Sequence, residues 1–222
     1  GCLNGLQVSH QASPNKGPLD IGGAAPGQGN VIANHILNAI DVIPAERDVL
    51  VRIRGNKIGI GVDGLTSAPN FNANSSVCTP FAAIRGGFAQ PGSAQVGGLA
   101  PGEGNLFGPN GIHRARCPAP FAAPAPYMQT VASGEGMGVW QVQGNRYVDM
   151  QGMAIDLVQD NDSNNSQPQR LPNDAGDADP LGANRRQNFP VISAFSTSGD
   201  QVDLTYRVDS TPANSRYPLS IE

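Results

Sequence analysis

The chain has 222 residues, among them 28 glycines and 19 prolines, and only 14% of its residues are charged and 5% aromatic. It is long enough to bury a core, and its 39% hydrophobic residues fall in short β-branched runs, which is typical of an ordered, loop-rich protein. A net charge of −4 without a dense basic stretch excludes a nucleic-acid-binding protein, and no apolar run reaches the length of about 18 residues expected of a membrane-spanning helix.

The segment IGGAAPGQGNVI at residues 21–32 is nearly repeated as VGGLAPGEGNLF at residues 96–107. Both copies have the same four glycines, the same Ala-Pro pair and the same asparagine. A segment written twice is typical of an architectural unit, because a catalytic site needs to be encoded only once. The repeat therefore predicts a structural corner.

Residues 30–43, NVIANHILNAIDVI, allow two interpretations. Asn34 and Asn38 are turn-forming residues at a short interval, which fits a strand, a turn and a second strand. A helix would place four isoleucines on one face, namely Ile32, Ile36, Ile40 and Ile43. The periodicity alone does not decide between these interpretations.

Beyond residue 48, apolar and polar residues alternate with the period of two that is typical of strands. In VLVRIRG, Val49, Val51 and Ile53 would point one way, and Arg52 and Arg54 the other way. Similar short runs follow in GVWQVQGN and MAIDLVQ. We expect strands of about four to six residues that are separated by Gly-Asn pairs.

The asparagines of four Gly-Asn pairs are separated by 26, 49 and 40 residues; they are Asn30, Asn56, Asn105 and Asn145. We interpret 49 as two units of about 25 residues, and 40 as one unit plus an insertion. Glycine and asparagine tolerate the positive φ of a tight corner, and stacked asparagine amides can hydrogen-bond to one another. The spacing predicts a parallel β-solenoid with three short strands in each coil.

Two stretches rich in proline and alanine, near residues 66–95 and 113–135, are predicted to be loop insertions on one side of the solenoid. Each contains a similar motif, CTPFAA at Cys78 and CPAPFAA at Cys117. We predict a Cys78–Cys117 disulfide that joins the two insertions, which would indicate an oxidising compartment. Two buried free thiols are the alternative.

Two aspartates, Asp149 and Asp156, are candidates for catalysis. They belong to consecutive predicted strands, and a glycosidase or lyase requires converging carboxylates or a base with charge-neutralising partners. Residues one coil apart in a solenoid lie about 5 Å from each other, so carboxylates from separate coils can meet. Solvent-facing ion pairs are the alternative, and we assign neither aspartate a catalytic role.

The densest carboxylate groups occur in DNDSNN and in NDAGDAD. Oxygen ligands at alternate positions suit Ca²⁺, which is the one cofactor that the sequence suggests. Aspartate and asparagine also bond to their own backbone in turns, so turn formation is the alternative. The candidate ligands are Asp160, Asp162, Asp174, Asp177 and Asp179.

Residues 188–222 form the last predicted unit. Val202, Leu204 and Tyr206 alternate along one strand, and residues 210–215 would form the turn that leads into the next strand of a hairpin. An unpaired strand edge here would need a partner strand from the same chain or from another chain. We also expect the 222 residues to be a fragment or a trimmed mature chain.

The motif [IV]GG.APG.GN[VL][IF], VRIRGNKIGIGVDG and the closing PNDAGDADPLGANRRQNFPVISAF resemble the right-handed parallel β-helix repeats of large secreted bacterial surface proteins. The resemblance covers about residues 15–210. It implies an all-β, pectate-lyase-like solenoid over residues 1–187 and the start of a β-sandwich or cap over residues 188–222. It implies no single activity, because such coils occur in adhesins, tailspikes and polysaccharide-cleaving enzymes.

We therefore expect a secreted or cell-surface structural or adhesive segment that presents a rigid surface. Its exposed strands would associate with further copies or with neighbouring surface proteins. The alternative is a polysaccharide lyase or hydrolase, or a non-catalytic carbohydrate-binding module, that uses the lateral groove of the β-helix. In that case glycans are the partners.

Overall fold

The structure, a computed structural model, describes residues 4–8, 17–42, 49–70, 83–86, 92–109, 127–128, 138–149, 154–157, 172–180, 183–215 and 217–221. This part of the chain contains fifteen strands, one short 3₁₀ turn and no α-helix. The first eight strands are β1 (Leu6–Val8), β2 (Leu19–Gly22), β3 (Val31–Ile32), β4 (Ile40–Val42), β5 (Leu50–Arg54), β6 (Lys57–Ile58), β7 (Ile84–Gly86) and β8 (Gly92–Gly97). The others are β9 (Leu106–Phe107), β10 (Tyr127–Met128), β11 (Gly138–Gln143), β12 (Arg146–Tyr147), β13 (Asp156–Leu157), β14 (Val191–Ser198) and β15 (Gln201–Arg207).

The first thirteen strands pair in parallel. The first sheet contains β2, β5, β8 and β11, and the second sheet contains β3, β6, β9 and β12. The third sheet contains β1, β4 and β7, and the pair β10–β13 continues it because β10 lies next to β7. From β2 onward, consecutive strands enter the first, second and third sheets in turn.

Each such set of three strands is called a coil below: β2–β4, β5–β7, β8–β10 and β11–β13. The described part of the chain thus makes four coils, and β1 precedes them in the third sheet. This path is compatible with a β-helix, and it confirms the prediction of an all-β protein built from parallel strands.

Residues 30–42 form two strands and not a helix. β3 and β4 contribute Ile32 and Ile40 to the core, and both side chains are buried. Asn34 between them has a φ of 61°. A left-handed residue breaks the helical path, and asparagine tolerates this conformation better than most residues.

The core is a column of side chains that point inward from the sheets and stack from coil to coil. In β5, Val51 and Ile53 are fully buried, whereas Arg52 and Arg54 lie on the outer side, as the alternation predicts. The register of the second sheet places four inward residues in one stack, namely Ile32, Ile58, Phe107 and Tyr147. The last two rings stack with their centroids 5.2 Å apart, so these aromatic residues pack the interior.

The indole of Trp140 fills a space in the fourth coil that a glycine leaves open. Trp140 is 3% exposed, and a Cβ at Gly86 would lie 2.1 Å from its ring. Gly86 continues the stack of Val8 and Val42 in the third sheet. The absence of a side chain at this position therefore makes room for the largest residue of the core.

A ladder of four asparagines, called the asparagine ladder below, connects the coils at the corner between the first and second sheets. Asn56 Oδ1 accepts hydrogen bonds from the backbone N–H and from Nδ2 of Asn30, at 3.0 and 2.9 Å. Asn105 Oδ1 accepts the same two bonds from Asn56, and Asn145 Oδ1 accepts them from Asn105, all at 3.0 Å. The Nδ2 groups of these last three asparagines also donate to carbonyl oxygens of the first sheet, at 2.8 to 2.9 Å.

Two kinds of corner alternate along this ladder. The repeated twelve-residue segment turns the chain in the first and third coils, and a two-residue Gly-Asn turn does so in the second and fourth coils. Gly55 has a φ of 65°, and a Cβ there would lie 2.2 Å from the carbonyl oxygen of Gly23. Glycine is therefore required both for the conformation and for the close stacking of successive corners.

The predicted unit of about 25 residues is wrong for the second interval. Asn56 and Asn105 bond directly to each other, so the 49 residues between them make one coil and not two. The extra length lies between β6 and β7, at residues 59–83. The interval from Asn105 to Asn145 is likewise one coil with extra residues, here at 108–126 between β9 and β10.

Both long connections join the second sheet to the third sheet. The stretches that we expected to be insertions, 66–95 and 113–135, also contain strands of the third sheet, β7 and β10, and most of β8. The connections are thus shorter than the compositional stretches. Proline- and alanine-rich composition does not mark where a buried strand begins or ends.

The fourth coil is followed by a segment that closes the first sheet. Asn184 lies in the 3₁₀ turn at Ala183–Arg186, and its side-chain amide pairs with the backbone of β11. Its Oδ1 accepts from the N–H of Trp140 at 2.7 Å, and its Nδ2 donates to the carbonyl of Trp140 at 2.8 Å. The amide therefore occupies the place of a further strand at this point of the edge.

The C-terminal hairpin turns one strand earlier than we predicted. β14 and β15 pair in antiparallel around Gly199, whose φ is 59°. Residues 212–214 do form a turn, but the described residues after it contain no strand. Within the ranges given above, no helix combines the length and the apolar content that crossing a membrane requires.

Candidate functional site

The outer side of the first sheet, called the polar face below, carries mainly amide and charged side chains, together with the exposed Val139. The register places four of them in one row, namely Asp20, Arg52, Gln95 and Gln141. Arg54 and Gln143 lie one step further along their strands, and Gln143 Oε1 accepts a hydrogen bond of 2.7 Å from Gln141. Because parallel strands lie about 4.8 Å apart, the row is about 15 Å long.

A network of ion pairs fixes the charged half of the polar face. Arg52 bonds to Asp20 at 2.7 Å, and Arg54 bonds to Asp20 at 3.1 Å and to Glu103 at 3.0 Å. The hydrogen bond from Arg52 is the main reason that the pKa of Asp20 lies below its ordinary value. Glu103 comes from the corner of the third coil, so the network joins three coils.

An open cavity of about 600 Å³ lies at the first-coil end of the polar face. It contains both members of the Asp20–Arg54 pair as well as side-chain amides, and its other walls are apolar or glycine. Its lining includes Leu6, Asp20, Ile21, Gly22, Gly23, Gln28, Asn30 and Arg54. Charged groups and amides on an open surface suit a ligand that is rich in hydroxyl groups.

Asp41 is a buried carboxylate that the sequence does not reveal. It is 5% exposed, and Nδ2 of Asn4 donates to its Oδ2 at 3.4 Å, whereas its Oδ1 has no hydrogen-bond partner among the described residues. Burial raises its pKa, and the positive charge of Arg85, its register partner on β7, opposes that effect. The alternation of side chains along β4 does not predict this burial. All three residues of β4 are buried, and Asp41 lies between two residues of the core.

The two catalytic candidates belong to the same coil. Asp149 follows β12 in the second sheet, is exposed and has a φ of 50°, whereas Asp156 opens β13 in the third sheet. In the third sheet Asp156 is in register with Tyr127. The stacking of two carboxylates from separate coils that we considered is therefore not formed by this pair.

The second carboxylate cluster makes hydrogen bonds within the chain. Asp174 Oδ2 accepts from the N–H of Ala178, and Asp177 accepts from the N–H of Asn188 and from Ser215. Within the described ranges, no three histidine, cysteine or acidic side chains converge in a way that could hold a metal ion. The remaining candidate ligand of this cluster is Asp179, which lies 3.6 Å from Arg186. The candidates of the first cluster, Asp160 and Asp162, lie outside the described residues.

Cys78 and Cys117 also lie outside the described residues, so their predicted disulfide stays a prediction. In the sequence, Cys78 falls between β6 and β7, and Cys117 falls between β9 and β10.

Several asparagines have roles that the sequence did not suggest, because they pair with backbone groups distant in the chain. Asn188 pairs with the backbone N–H and carbonyl of Asp174, and Asn173 pairs with those of Phe189. Both repeat the amide-to-backbone pairing that Asn184 makes with β11. These contacts tie the segment after the fourth coil to the start of the hairpin.

No family model, no curated protein and no solved structure matches this chain significantly.

Proposed function

We propose that this chain belongs to an extracellular or cell-surface, right-handed parallel β-helix with a structural and adhesive function. The asparagine ladder is the observation that carries the proposal. It bonds each corner to the next through the side chain and the backbone, and so it holds the polar face in one rigid geometry across four coils. The right-handed path is inferred because about 98% of parallel strand crossovers have this hand.

The state of the acidic groups favours a structural function over catalysis. Asp20 and Glu103 on the polar face are each bonded to an arginine. The hydrogen bond from Arg52 lowers the pKa of Asp20, so Asp20 is a poor general acid, because it stays ionised at the pH at which it would have to donate a proton. The ion pairs instead add rigidity to the surface.

Two measurements test this proposal. The purified chain is incubated with neutral and anionic polysaccharides, and reducing ends and unsaturated products are quantified. We expect no product, whereas turnover that is lost in Asp149→Asn or Asp156→Asn would replace the proposal with a lyase or hydrolase.

Labelling of intact producing cells with a membrane-impermeant amine reagent tests the location: a chain that is labelled only after cell lysis would contradict the extracellular assignment.

A second candidate is a non-catalytic carbohydrate-binding module. It is supported by the polar row, in which Gln95 and Gln141 present amides beside the Asp20–Arg52 ion pair. Amide and charged groups at fixed spacing can hydrogen-bond to successive sugar hydroxyls of an extended chain. The cavity at the end of this row extends the same surface.

A glycan array with wild-type and variant chains tests this candidate. We expect Gln141→Ala to lower glycan binding by about ten-fold, since it removes the exposed amide of the row. The matched control is Gln201→Ala, which removes an exposed glutamine from the C-terminal hairpin. Equal losses in the two variants, or no binding by the wild type, would exclude the polar row as a glycan site.

A further inference from the structure

The C-terminal hairpin has one face that is apolar and open to solvent. Residues directly opposite each other on paired strands share a face. The register pairs Phe195 with Leu204 at the centre of the hairpin, Ile192 with Tyr206 and Thr197 with Val202 on either side of them. The five large apolar residues of this set are between 47% and 73% exposed.

The opposite face of the hairpin is polar. It carries Ser196 opposite Asp203 and Ser198 opposite Gln201, and its apolar residues are Ala194, opposite Thr205, and Val191, opposite Arg207 near the open end. The charged residues of both strands are therefore on this side, and the apolar face has none. Such a separation of apolar and polar residues is typical of a sheet that covers a core on one side, although every residue of both strands is exposed here.

We propose that the apolar face binds a second copy of this chain, with the two hairpins packed face to face about a two-fold axis. A two-stranded hairpin with a bare apolar face is marginally stable in water, and a second layer at about 10 Å would give it a core. In this arrangement each hairpin covers the exposed apolar face of the other one. The contact joins two faces, so it differs from pairing between exposed strand edges.

The area and the charge of the face both favour an identical partner. The five exposed side chains present on the order of 500 Å² of apolar surface, so two copies bury on the order of 1,000 Å², which is the lower limit of a specific interface. A two-fold contact brings the same patch together from both chains, and an uncharged patch creates no repulsion in doing so. This inference does not rest on the proposed surface function, and it can fail while that function stands.

Sedimentation equilibrium of the 222-residue chain tests the proposal. The wild type is measured from about 1 to about 200 µM, a range that covers a weak to moderate dimer. We expect reversible association from the 23.0-kDa monomer to a dimer. Leu204→Arg introduces a charge at the centre of the face in both copies, and it should raise the dissociation constant at least about thirty-fold.

The matched control is Thr205→Arg, which adds the same charge to the neighbouring residue on the polar side of β15. It should leave the dissociation constant within about three-fold of the wild type, and circular dichroism of both variants verifies that the fold is retained. A wild type that is monomeric at every concentration would overturn the proposal. Association that survives Leu204→Arg, or that is weakened equally by both substitutions, would also overturn it, because the contact would then lie elsewhere.

Discussion

The asparagine ladder makes a quantitative prediction for Asn56→Ala. Asn56 is buried, with 1% exposure, and its side chain makes four hydrogen bonds. Its Oδ1 accepts two bonds from Asn30, and its Nδ2 donates one to the carbonyl of Ile21 and one to Oδ1 of Asn105. The substitution removes all four and leaves the Ile21 carbonyl without this donor.

The expected loss follows from the position of each bond. A hydrogen bond contributes about 1 kcal/mol net to folding, and less where water can replace the lost partner. The two groups of Asn30 are in contact with solvent, whereas the Ile21 carbonyl belongs to a residue of the core. We therefore expect Asn56→Ala to lower the free energy of unfolding by about 3 kcal/mol.

Asn30→Ala is the matched control at the exposed end of the ladder. It removes one side-chain bond and keeps the backbone bond to Asn56, so its expected cost is about 0.5 kcal/mol. The assay is urea unfolding followed by circular dichroism and by the fluorescence of the single tryptophan. At an m-value of about 3 kcal/mol/M, the midpoint should fall by about 1 M for Asn56→Ala. Equal costs for the two variants would refute the reasoning, because they would show that the buried rung is worth no more than the exposed one.

Three further substitutions test other parts of the structure. Asn184→Ala removes both hydrogen bonds to the backbone of Trp140, and it should lower the free energy of unfolding by about 2 kcal/mol and shift the tryptophan emission to longer wavelength. Asp41→Asn should stabilise the protein at neutral pH, because burial raises the pKa of Asp41. Its ionisation in the folded protein therefore costs stability as the pH rises from the ordinary value of 3.8 through the raised value, and asparagine does not ionise. Asp20→Asn should destabilise slightly at neutral pH and have no effect in acid, because the lowered pKa of Asp20 gives stability that is present above 3.8 and is lost as the pH falls.

Each of these has its own comparison. Asn184→Gly also loses the amide but tolerates the positive φ of 48° at this position, so Asn184→Ala should be the less stable of the two. Equal stability of the two variants would show that the left-handed conformation carries no cost here. Urea midpoints measured across the acid range should diverge in opposite directions for Asp41→Asn and Asp20→Asn, and parallel curves would contradict the two assignments.

The corners and the direction of the side chains could be read from the sequence because they depend on local rules. A Gly-Asn pair supplies an amide at every corner, and its glycine has a positive φ at the two-residue turns, at Gly55 and Gly144, so the ladder repeats the same two residues in each coil. Alternation in β5 likewise separates Val51 from Arg52, since successive side chains on a strand point to opposite sides. Neither rule requires knowledge of the rest of the chain.

The number of coils could not be read in this way. A loop that leaves the solenoid and returns has no fixed length, because longer loops cost little additional entropy. The connection at residues 59–83 has about the length of a coil, and it was therefore counted as one. The direct bond between Asn56 and Asn105 and the pairing of β6 with β9 distinguish the two cases.

The contacts after the fourth coil are also beyond a sequence pattern. Asn184 bonds to a residue 44 positions away, and Asn188 bonds to the carbonyl of Asp209 as well as to Asp174. Nothing near these asparagines in the chain indicates their partners. The hairpin is different, because the Gly-Asp pair at residues 199–200 is a local turn signal, although we predicted the turn at residues 210–215 instead.

Nuclear Overhauser contacts between side-chain amides test the central claim most directly. In a uniformly labelled sample, the Nδ2 protons of Asn56 should show contacts with the side chain of Asn105, 49 residues away, because Nδ2 and Oδ1 lie 3.0 Å apart. The corresponding contacts should join Asn30 to Asn56 and Asn105 to Asn145. Contacts of Asn56 with a residue near position 80 instead, or no contact between any two of the four asparagines, would contradict the ladder and the four coils that depend on it.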